Sequence, residues 1–543
     1  MREAVRVRSP KEVRRQAAVT VVSVLVSCVA GAGATEAASC ESLATLSLRD
    51  VRIDVAQSVA AGAFQPGPGA IPNPAAAPRF SDLPAFCRVV ATARPGSEAP
   101  ITIEVWLPAP RAEGVPGRTA WNGRLRGIGN DGFYNAAPVT LGGLADGLRA
   151  GDVAVGSDGG RKGDASYILR GTEQLTNFNY RSAHEMTVAA RALAAAYYGK
   201  APAFAAVAEC AGRGAIGLSS VQRYPADYDA VAVGEFIGDN TRHFANQWWV
   251  WQALHTDEAS TIPLEKLPMI QRAAVAACDM DDGVADGLIS DPPRCGFDPG
   301  VLQCTAGERA DCLAAPQVTA LRTIYAGARN PRTNAPVAPP LMRGGETNWT
   351  PIVGPKPNPV SLDHFKYFVR RDSAWDYTAR PVNFDADIAA ASVQMARLPI
   401  GLTNPDIRRF TARGGKLLLY AGWSDPFVPP QISIEYYERV VAAVGKKVAD
   451  ASVRLFMVPG LRNCQGTAGA ENFAFDTMTI LQQWKDSGKA PDAFVARRFQ
   501  NGAEVGTRLI CAYPTVPTYS GSGNPQDAAS FACRAPRPTS TSP

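Results

Sequence analysis

Short apolar runs alternate with helical stretches along much of the chain, and this alternation limits the fold more than any other feature. Strand-like runs occupy residues 101–107, 125–129, 204–208, 229–233, 416–420 and 454–458. Helical periodicity fills residues 183–198, and shorter helical patterns cover 216–223 and 475–488. Such alternation predicts an α/β fold in which helices cover both faces of a mostly parallel sheet.

The alternation breaks between residues 234 and 401, where Pro, Cys and acidic residues accumulate. We interpret this segment as an inserted lid domain that separates a first core part, 35–233, from a second, 402–543. The 543-residue chain is long enough for a large core of this kind. Three lid tryptophans are more typical of a lid core than of a ligand platform: Trp248, Trp249 and Trp251. The Pro/Ala/Gly-rich residues 41–78 predict a loose lead-in.

The first 34 residues have the pattern of an export signal. A basic stretch ends at Arg15, an apolar run covers residues 17–30, and small residues at 32–34 offer a cleavage site. A buried N-terminal helix is one alternative, and acylation of Cys28 in a lipoprotein box is another. We therefore expect a secreted or periplasmic protein, or one anchored to lipid through Cys28. No later segment is apolar for long enough to predict a transmembrane helix.

Composition and charge exclude several classes of protein. The chain is 46% hydrophobic and 19% charged, which excludes a disordered chain. Of the net charge of +5, residues 1–34 contribute +4, from six Lys/Arg and two Glu. The rest of the chain is therefore nearly neutral, and no nucleic-acid surface is predicted.

Cysteine usage agrees with export. Of 11 cysteines, ten follow Cys28, and an even number in an exported chain predicts disulfides. Spacing alone does not choose among the pairings. No CxxC pair is present, so a structural zinc site is not predicted.

Three loops at strand ends could carry chemistry. Residues 209–217 form a Gly-rich turn between a strand and a helix, which would place one residue beside the free N–H groups of a helix start. Residues 422–426 present Asp425 at the end of another strand. The third loop, 459–464, ends in Asn463 and Cys464.

These loops and other motifs resemble the tannase/feruloyl esterase family of α/β-hydrolases. The motifs are Trp121-Asn-Gly, Tyr180-Arg-x-x-His184-Glu-Met-Thr, Gln222-Arg-Tyr-Pro-x-Asp227, Arg413-Gly-Gly-Lys416, Gly422-Trp-x-Asp425-Pro-x-x-Pro429-Pro430, Phe456-Met-Val-Pro-Gly460 and Gly521-Ser-Gly-x-Pro525. The resemblance covers nearly the whole chain after residue 34. It implies the α/β-hydrolase fold with a lid, and a carboxylic ester hydrolase ancestry.

The catalytic set of the family is incomplete in this chain. The family has a Cys-Ser pair at the elbow, an Asp after a strand, and a His-Cys pair near the end. Here Asp425 is retained, whereas Ala211 stands at the Ser position and Asn463 at the His position. A methyl group is no nucleophile and an amide does not titrate near neutral pH. No complete G-x-S-x-G occurs elsewhere, and His184 is interpreted as a packing or hydrogen-bonded residue. We therefore expect serine-esterase activity to be lost.

Further substitutions cluster at the same loops. By the resemblance, Arg213 and Arg462 stand where the family has Gly, Ala215 where it has Arg, and Asp131 in the turn that supplies oxyanion-hole amides. These changes are either drift after loss of activity or a rebuilt charged pocket. In the second interpretation Arg213 or Arg462 pairs with Asp425, because a buried unpaired carboxylate is costly.

The resemblance also implies a structural Ca²⁺ site in the lid. The ligands would be the carboxylates of Asp279, Asp282 and Asp286 with the carbonyls of Val284 and Leu288, an oxygen set that Ca²⁺ prefers. An acidic surface turn is the alternative. The resemblance further implies five disulfides, Cys40–Cys87, Cys210–Cys464, Cys278–Cys295, Cys304–Cys312 and Cys511–Cys533.

Three hypotheses for function follow. The first is an exported, calcium-stabilised pseudoenzyme that has become a binding or accessory protein for a small aromatic ester or acid. The second is an active esterase that acts on feruloyl- or galloyl-type esters by a non-standard mechanism. The third is a structural secreted protein without a ligand. Neither the identity of the ligand nor the oligomeric state can be read from the sequence.

Overall fold

The computed structural model describes residues 38–71, 78–97, 99–110, 121–130, 135–398, 401–464 and 471–536. The expected export signal with Cys28, and Asp131 in the oxyanion turn, lie outside the described residues.

Sixteen strands are found in the described part of the chain. They are β1 Val51–Val59, β2 Phe86–Ala93, β3 Ile101–Pro108, β4 Arg124–Ile128, β5 Val153–Ser157, β6 Phe204–Cys210, β7 Ala230–Gly234, β8 Ala328–Arg329, β9 Pro336–Ala338, β10 Lys416–Gly422, β11 Val453–Val458, β12 Glu471–Ala474, β13 Ala493–Gln500, β14 Ala503–Cys511, β15 Val516–Tyr519 and β16 Phe531–Arg534.

Thirteen α-helices accompany these strands within the same described ranges. They are α1 Leu141–Arg149, α2 Glu173–Thr176, α3 Ser182–Tyr198, α4 Ala215–Arg223, α5 Asn240–Leu254, α6 Leu267–Cys278, α7 Ala315–Ala326, α8 Pro359–Asp363, α9 Ala386–Arg397, α10 Arg408–Thr411, α11 Pro430–Val444, α12 Lys446–Ser452 and α13 Thr477–Ser487.

Nine strands form one large sheet in the order β1-β2-β3-β5-β4-β6-β7-β10-β11. Along this order, the three strand pairs from β1 to β5 are antiparallel. The five strand pairs from β5 to β11 are parallel. The prediction of an α/β fold with a mostly parallel sheet is therefore confirmed.

Strand β10 shows how helices cover both faces of the sheet. Successive side chains of a strand point to opposite faces. Leu417 and Leu419 accordingly pack in one core cluster with Tyr436 of α11. Leu418 and Tyr420 pack in another with Leu481 and Trp484 of α13. All four strand residues are almost fully buried, so this strand anchors the loop that follows it.

The structure corrects the prediction for residues 41–78. Instead of a loose lead-in throughout, Val51–Val59 forms the edge strand β1, which pairs antiparallel with β2. Val51, Ile53 and Val55 alternate with polar residues as a half-exposed edge strand requires, a short pattern that the surrounding Pro and Gly obscured.

The segment predicted to be a lid contributes no strand to the large sheet among the described residues. It has two hydrophobic clusters, one around α6 and α7 and one around α5, α8 and α9. Trp248 is fully buried and packs against Phe365 and Trp375, which agrees with a role in the lid core. The boundaries 234 and 401 remain a prediction.

All five disulfides that the resemblance implied are present: Cys40–Cys87, Cys210–Cys464, Cys278–Cys295, Cys304–Cys312 and Cys511–Cys533. Disulfides in this number are typical of proteins from oxidising compartments. Among the described helices, none is both long and apolar enough to cross a membrane.

Candidate active site

The loop after β6 has the shape of a nucleophile elbow but carries a methyl group at its tip. Ala211 follows Cys210 directly and has a φ of 49°, in the left-handed region that residues with a Cβ rarely adopt. Helix α4 begins four residues later and packs closely on the sheet. A Cβ added at Gly217 of this helix would lie only 2.7 Å from Val231 Cγ1. The close packing of α4 on the sheet therefore holds Ala211 in a strained position that alanine itself does not favour.

Asp425 lies at the corresponding point after β10 and is almost fully buried. Its Oδ1 accepts hydrogen bonds from the backbone N–H groups of Phe427 (2.7 Å) and Val428 (3.2 Å). Its Oδ2 accepts a hydrogen bond of 2.8 Å from Asn463 Nδ2. The retained acid is thus fixed in orientation and faces the residue at the base position.

Asn463 makes one of the two interactions that a histidine would make at this position. Its Nδ2 is the same number of bonds from Cα as Nδ1 of a histidine, and it makes the donor contact that an orienting aspartate accepts. An asparagine side chain has no second nitrogen that could accept a proton from a nucleophile. Asn463 therefore makes the contact with Asp425 that would orient a base at this position.

A disulfide brings the two substituted positions together. Cys210 and Cys464, which are 254 residues apart in sequence, join the elbow to the loop that carries Asn463. Ala211, Asn463 and both cysteines line one cavity of about 350 Å³. This volume suits a small organic ligand.

Glu235 is a buried acidic residue that the sequence reasoning missed. It follows β7 with a φ of 50° and is fully buried, and its Oε1 accepts a hydrogen bond of 2.8 Å from Gly422 N–H. Its carboxyl group also hydrogen-bonds that of Asp425. Two carboxylates cannot share a hydrogen bond unless one is protonated, and no other donor reaches Glu235 Oε2 among the described residues.

The electrostatics of this pair follow from burial. Burial, together with the neighbouring Asp425, raises the pKa of Glu235 well above its ordinary value. Burial also raises the pKa of Asp425, to about 6, against the hydrogen bonds from Asn463 and its neighbours. We therefore describe the two groups as one acid pair that holds a proton near neutral pH.

The predicted pairing of Asp425 with an arginine is wrong. The described partners of Asp425 are Asn463, Glu235 and two backbone amides. Arg213 Nε lies 3.5 Å from Glu209 Oε2, near the end of β6. An arginine is not needed at Asp425, because the nearby carboxyl group of Glu235 can carry a proton and donate a hydrogen bond to Asp425.

Arg462 directly precedes Asn463, and its buried Nε has no hydrogen-bond partner among the described residues. Ala215 opens helix α4 and is buried. Neither residue is among the described hydrogen-bond or ion-pair partners of Asp425. The structure gives no reason for the substitution at either position.

His184 has a structural environment. Its Nδ1 lies 3.0 Å from Asp227 Oδ2, and its ring stacks on Tyr224 at 4.0 Å between centroids. The hydrogen bond that protonated His184 donates to Asp227 raises the pKa of His184. His184 does not line the cavity, which agrees with its interpretation as a packing residue.

The acidic loop in the lid brings its predicted ligands close together. Asp279 accepts hydrogen bonds from Asp286 N–H (3.2 Å) and Gly287 N–H (2.9 Å). The buried Arg508 forms ion pairs with both Asp282 and Asp286, at 2.8 Å for Asp282. Among the described residues, no group of three or more His, Cys, Asp or Glu side chains is arranged to hold a metal ion.

The fold and these loops define a class of protein. A mostly parallel sheet, an elbow after β6 and a carboxylate after β10 are the framework of an α/β-hydrolase, and here a disulfide joins the elbow to the loop after β11. The sequence profile described as "Tannase and feruloyl esterase" matches residues 87–534. The chain belongs to the tannase and feruloyl esterase family, and the predicted membership is confirmed.

Relatives and a solved structure agree with this assignment. An uncharacterized esterase of Xanthomonas campestris pv. campestris is 32% identical over 92% of both chains. Mono(2-hydroxyethyl) terephthalate hydrolase of Piscinibacter sakaiensis is 29% identical over 77% of this chain and 80% of its own. The crystal structure of feruloyl esterase B from Aspergillus oryzae has a TM-score of 0.79 at 23% identity, covering 91% of this chain and 99% of that one, which is a likeness of fold.

Proposed function

We propose that this protein is an exported member of the family that binds a small aromatic ester or acid but has lost serine-esterase catalysis. One observation carries the proposal: Asn463 occupies the base position and is hydrogen-bonded to Asp425, opposite the methyl group of Ala211. Acyl transfer needs a nucleophile and a proton acceptor, and neither side chain supplies one. A cavity of about 350 Å³ persists at this place, which supports a binding role.

Labelling and turnover test the proposal directly. The purified protein should not be labelled by a serine-directed fluorophosphonate and should not hydrolyse feruloyl, galloyl or short aryl esters. Loss of a triad nucleophile or base costs on the order of 10⁶-fold in rate. A thermal-shift screen with aromatic acids and esters should in contrast find compounds that raise the melting temperature.

The other two hypotheses predict different results. Stoichiometric labelling of any serine, or turnover that saturates with an aryl ester, would favour an esterase with a non-standard mechanism. Inactivity together with no stabilising compound in the screen would favour a structural protein without a ligand.

We also propose that Ca²⁺ binds the acidic loop through Asp279, Asp282 and Asp286, with the carbonyls of Val284 and Leu288. The donor chemistry fits, because all these atoms are oxygens. The guanidinium of Arg508 pairs with Asp282 and Asp286, whereas Asp279 accepts hydrogen bonds from backbone N–H groups. Two of the three negative charges would otherwise stay uncompensated, at a place where burial already raises the pKa of Asp279 and Asp282. The cation would stabilise the lid and take no part in chemistry at Asp425.

Export through the basic and apolar residues 1–34, with cleavage or with acylation of Cys28, is part of the same proposal. The five disulfides support export, because they form in oxidising compartments. Mass spectrometry of the protein from the expressing cell distinguishes cleavage from acylation.

A further inference from the structure

Two asparagines line the cavity, one from the core and one from the segment predicted to be the lid. Asn463 lies in the loop after β11, and Asn358 directly precedes helix α8. Both residues are partly exposed. An amide side chain carries an acceptor at its oxygen and donors at its nitrogen. What each asparagine offers a ligand therefore depends on which end of the amide its protein partner holds.

The acid pair holds the nitrogen end of Asn463. Glu235 carries the shared proton and donates it to Asp425, so Asp425 acts as an acceptor. The amide nitrogen of Asn463 must face this acceptor, and Nδ2 donates to Asp425 Oδ2 over 2.8 Å. Oδ1 faces away from Asp425, and among the described residues it is neither paired nor closed off from solvent. Asn463 thus presents an acceptor to the cavity.

A backbone group holds Asn358 in the opposite sense. The N–H of Val360 can only donate, and it donates to Asn358 Oδ1 over 2.9 Å. The amide nitrogen therefore faces away from Val360. Within the described part of the chain it has no partner and is not closed off from solvent. The lid side of the cavity thus presents donors, whereas the core side presents an acceptor.

The rest of the wall is largely apolar and carries little net charge. Phe178 and Phe244 are among its residues. Arg213 also lines it, but its charge is offset by Glu209, 3.5 Å away. Burial lowers the pKa of His243 to about 3, so its ring is neutral. An uncharged ring compound suits this lining, because a charged one would lose its hydration without compensation.

Resting on the proposed binding function, we propose that Asn463 and Asn358 determine both the class of the ligand and its direction in the cavity. The ligand is an uncharged aromatic ester with a hydroxyl group at the other end of its ring. The hydroxyl group donates to Asn463 Oδ1, and the ester carbonyl accepts from Asn358 Nδ2. An ester group has no donor, so at Asn463 it would set its oxygens against Oδ1. The ester group therefore lies away from the position of the lost base.

Three probes of similar size separate the two ends of such a ligand. Methyl 4-hydroxybenzoate carries both groups, methyl benzoate lacks the hydroxyl group, and 4-ethylphenol lacks the carbonyl oxygen. In calorimetric titration at pH 7, we expect methyl 4-hydroxybenzoate to bind the native protein about tenfold more tightly than either of the others. This is the scale of one hydrogen bond.

Two variants assign each group to its asparagine. In Asn463→Leu, the advantage of the hydroxyl group should disappear while that of the carbonyl group remains. In Asn358→Asp, Oδ1 can still accept from Val360 N–H but the donor is gone, so the advantage of the carbonyl group alone should disappear. Asn404→Asp is the matched control, because Asn404 Oδ1 also accepts from a backbone N–H, that of Asp406, at an exposed position outside the cavity. It should keep both advantages. Asn463→Ala replaces Asn463→Leu if the latter does not fold.

The outcomes separate this inference from the function on which it rests. If none of the probes binds the native protein, both the binding function and the roles of the two asparagines are wrong. The binding function stands and the roles of Asn463 and Asn358 are wrong in three cases. The probes bind equally well, or the variants keep both advantages, or the advantage of the hydroxyl group is lost in Asn358→Asp.

Discussion

At the scale of single residues, the proton shared by Glu235 and Asp425 gives the site a measurable pH dependence. The pKa of both carboxyl groups is raised in the folded protein, so the folded state binds more protons than the unfolded one above pH 4 to 5. The contribution of this pair to stability is therefore greatest at low pH and is lost as the pH rises through the folded-state pKa values. The loss is about 1.4 kcal/mol for each unit by which a pKa is raised.

Glu235→Gln should remove much of this dependence. The amide is permanently neutral, can still accept from Gly422 N–H, and can donate to Asp425 as a protonated Glu235 does. We expect melting temperatures equal to those of the native protein at pH 5 and higher by at least roughly 2 °C at pH 9. Glu258→Gln, at an exposed position, is the control and should follow the native curve. Parallel curves for Glu235→Gln and the native protein would contradict the shared proton.

Restoring the two lost groups is a second prediction at this scale. Because Asn463 Nδ2 already contacts Asp425, a histidine at this position would find its orienting carboxylate, and no arginine obstructs it. Ala211→Ser combined with Asn463→His should therefore react with a fluorophosphonate at least about 10²-fold faster than either single variant, since triad members act as a unit. The single variants are the controls. A correctly folded double variant no faster than these would mean that other parts of the site have also been lost.

The site illustrates what sequence reasoning could and could not provide. The positions of Ala211, Asp425 and Asn463 followed from motifs, because strand ends and their loops are local features. Glu235 carried no such signal. It is a lone polar residue after the apolar run of β7, and its role depends on Gly422 and Asp425, which are more than a hundred residues away in sequence. The partner of Asp425 was predicted wrongly for the same reason.

At the scale of elements, continuous apolar runs were predictable, whereas the edge strand β1 and the buried strands β2 and β5 were not. Strands β6, β7 and β10 are continuous apolar runs because helices cover them on both faces. Strand β1 has one neighbour and a mixed pattern of burial, so its sequence resembles that of a loop. The acidic loop after α6 could be recognised from its composition, because Asp279, Asp282 and Asp286 lie close together in sequence.

Calcium binding by this loop is the prediction at the scale of elements. Calcium should raise the melting temperature by roughly 2 °C or more relative to chelator, at fixed redox state. Asp279→Asn should abolish this response, because the carboxylate is held by backbone N–H groups of the loop and not by Arg508. Asp281→Asn, in the same loop but exposed and outside the ligand set, should respond like the native protein. An identical melting curve with and without calcium, and no bound calcium by elemental analysis, would remove the proposal.

At the scale of the whole molecule, one disulfide ties the two parts of the core together. Cys210 ends β6 in the first part, and Cys464 follows β11 in the second, with the predicted lid between them in sequence. The bond therefore closes a loop that includes the entire insertion. It also holds Ala211 and Asn463 beside one cavity.

Chain entropy makes this bond the most stabilising of the five. In the loop-closure model a bond that spans 254 residues stabilises by about 5.5 kcal/mol, and one that spans 8 residues, Cys304–Cys312, by about 2.5 kcal/mol. Replacing both cysteines of Cys210–Cys464 with alanine should thus lower the free energy of unfolding by about 3 kcal/mol more than the same change at Cys304–Cys312. Chemical denaturation of the two variants and the native protein, without reductant, gives this comparison. Equal losses in the two variants would mean that the unfolded chain is already compact across the lid, so that closing the long loop costs little entropy.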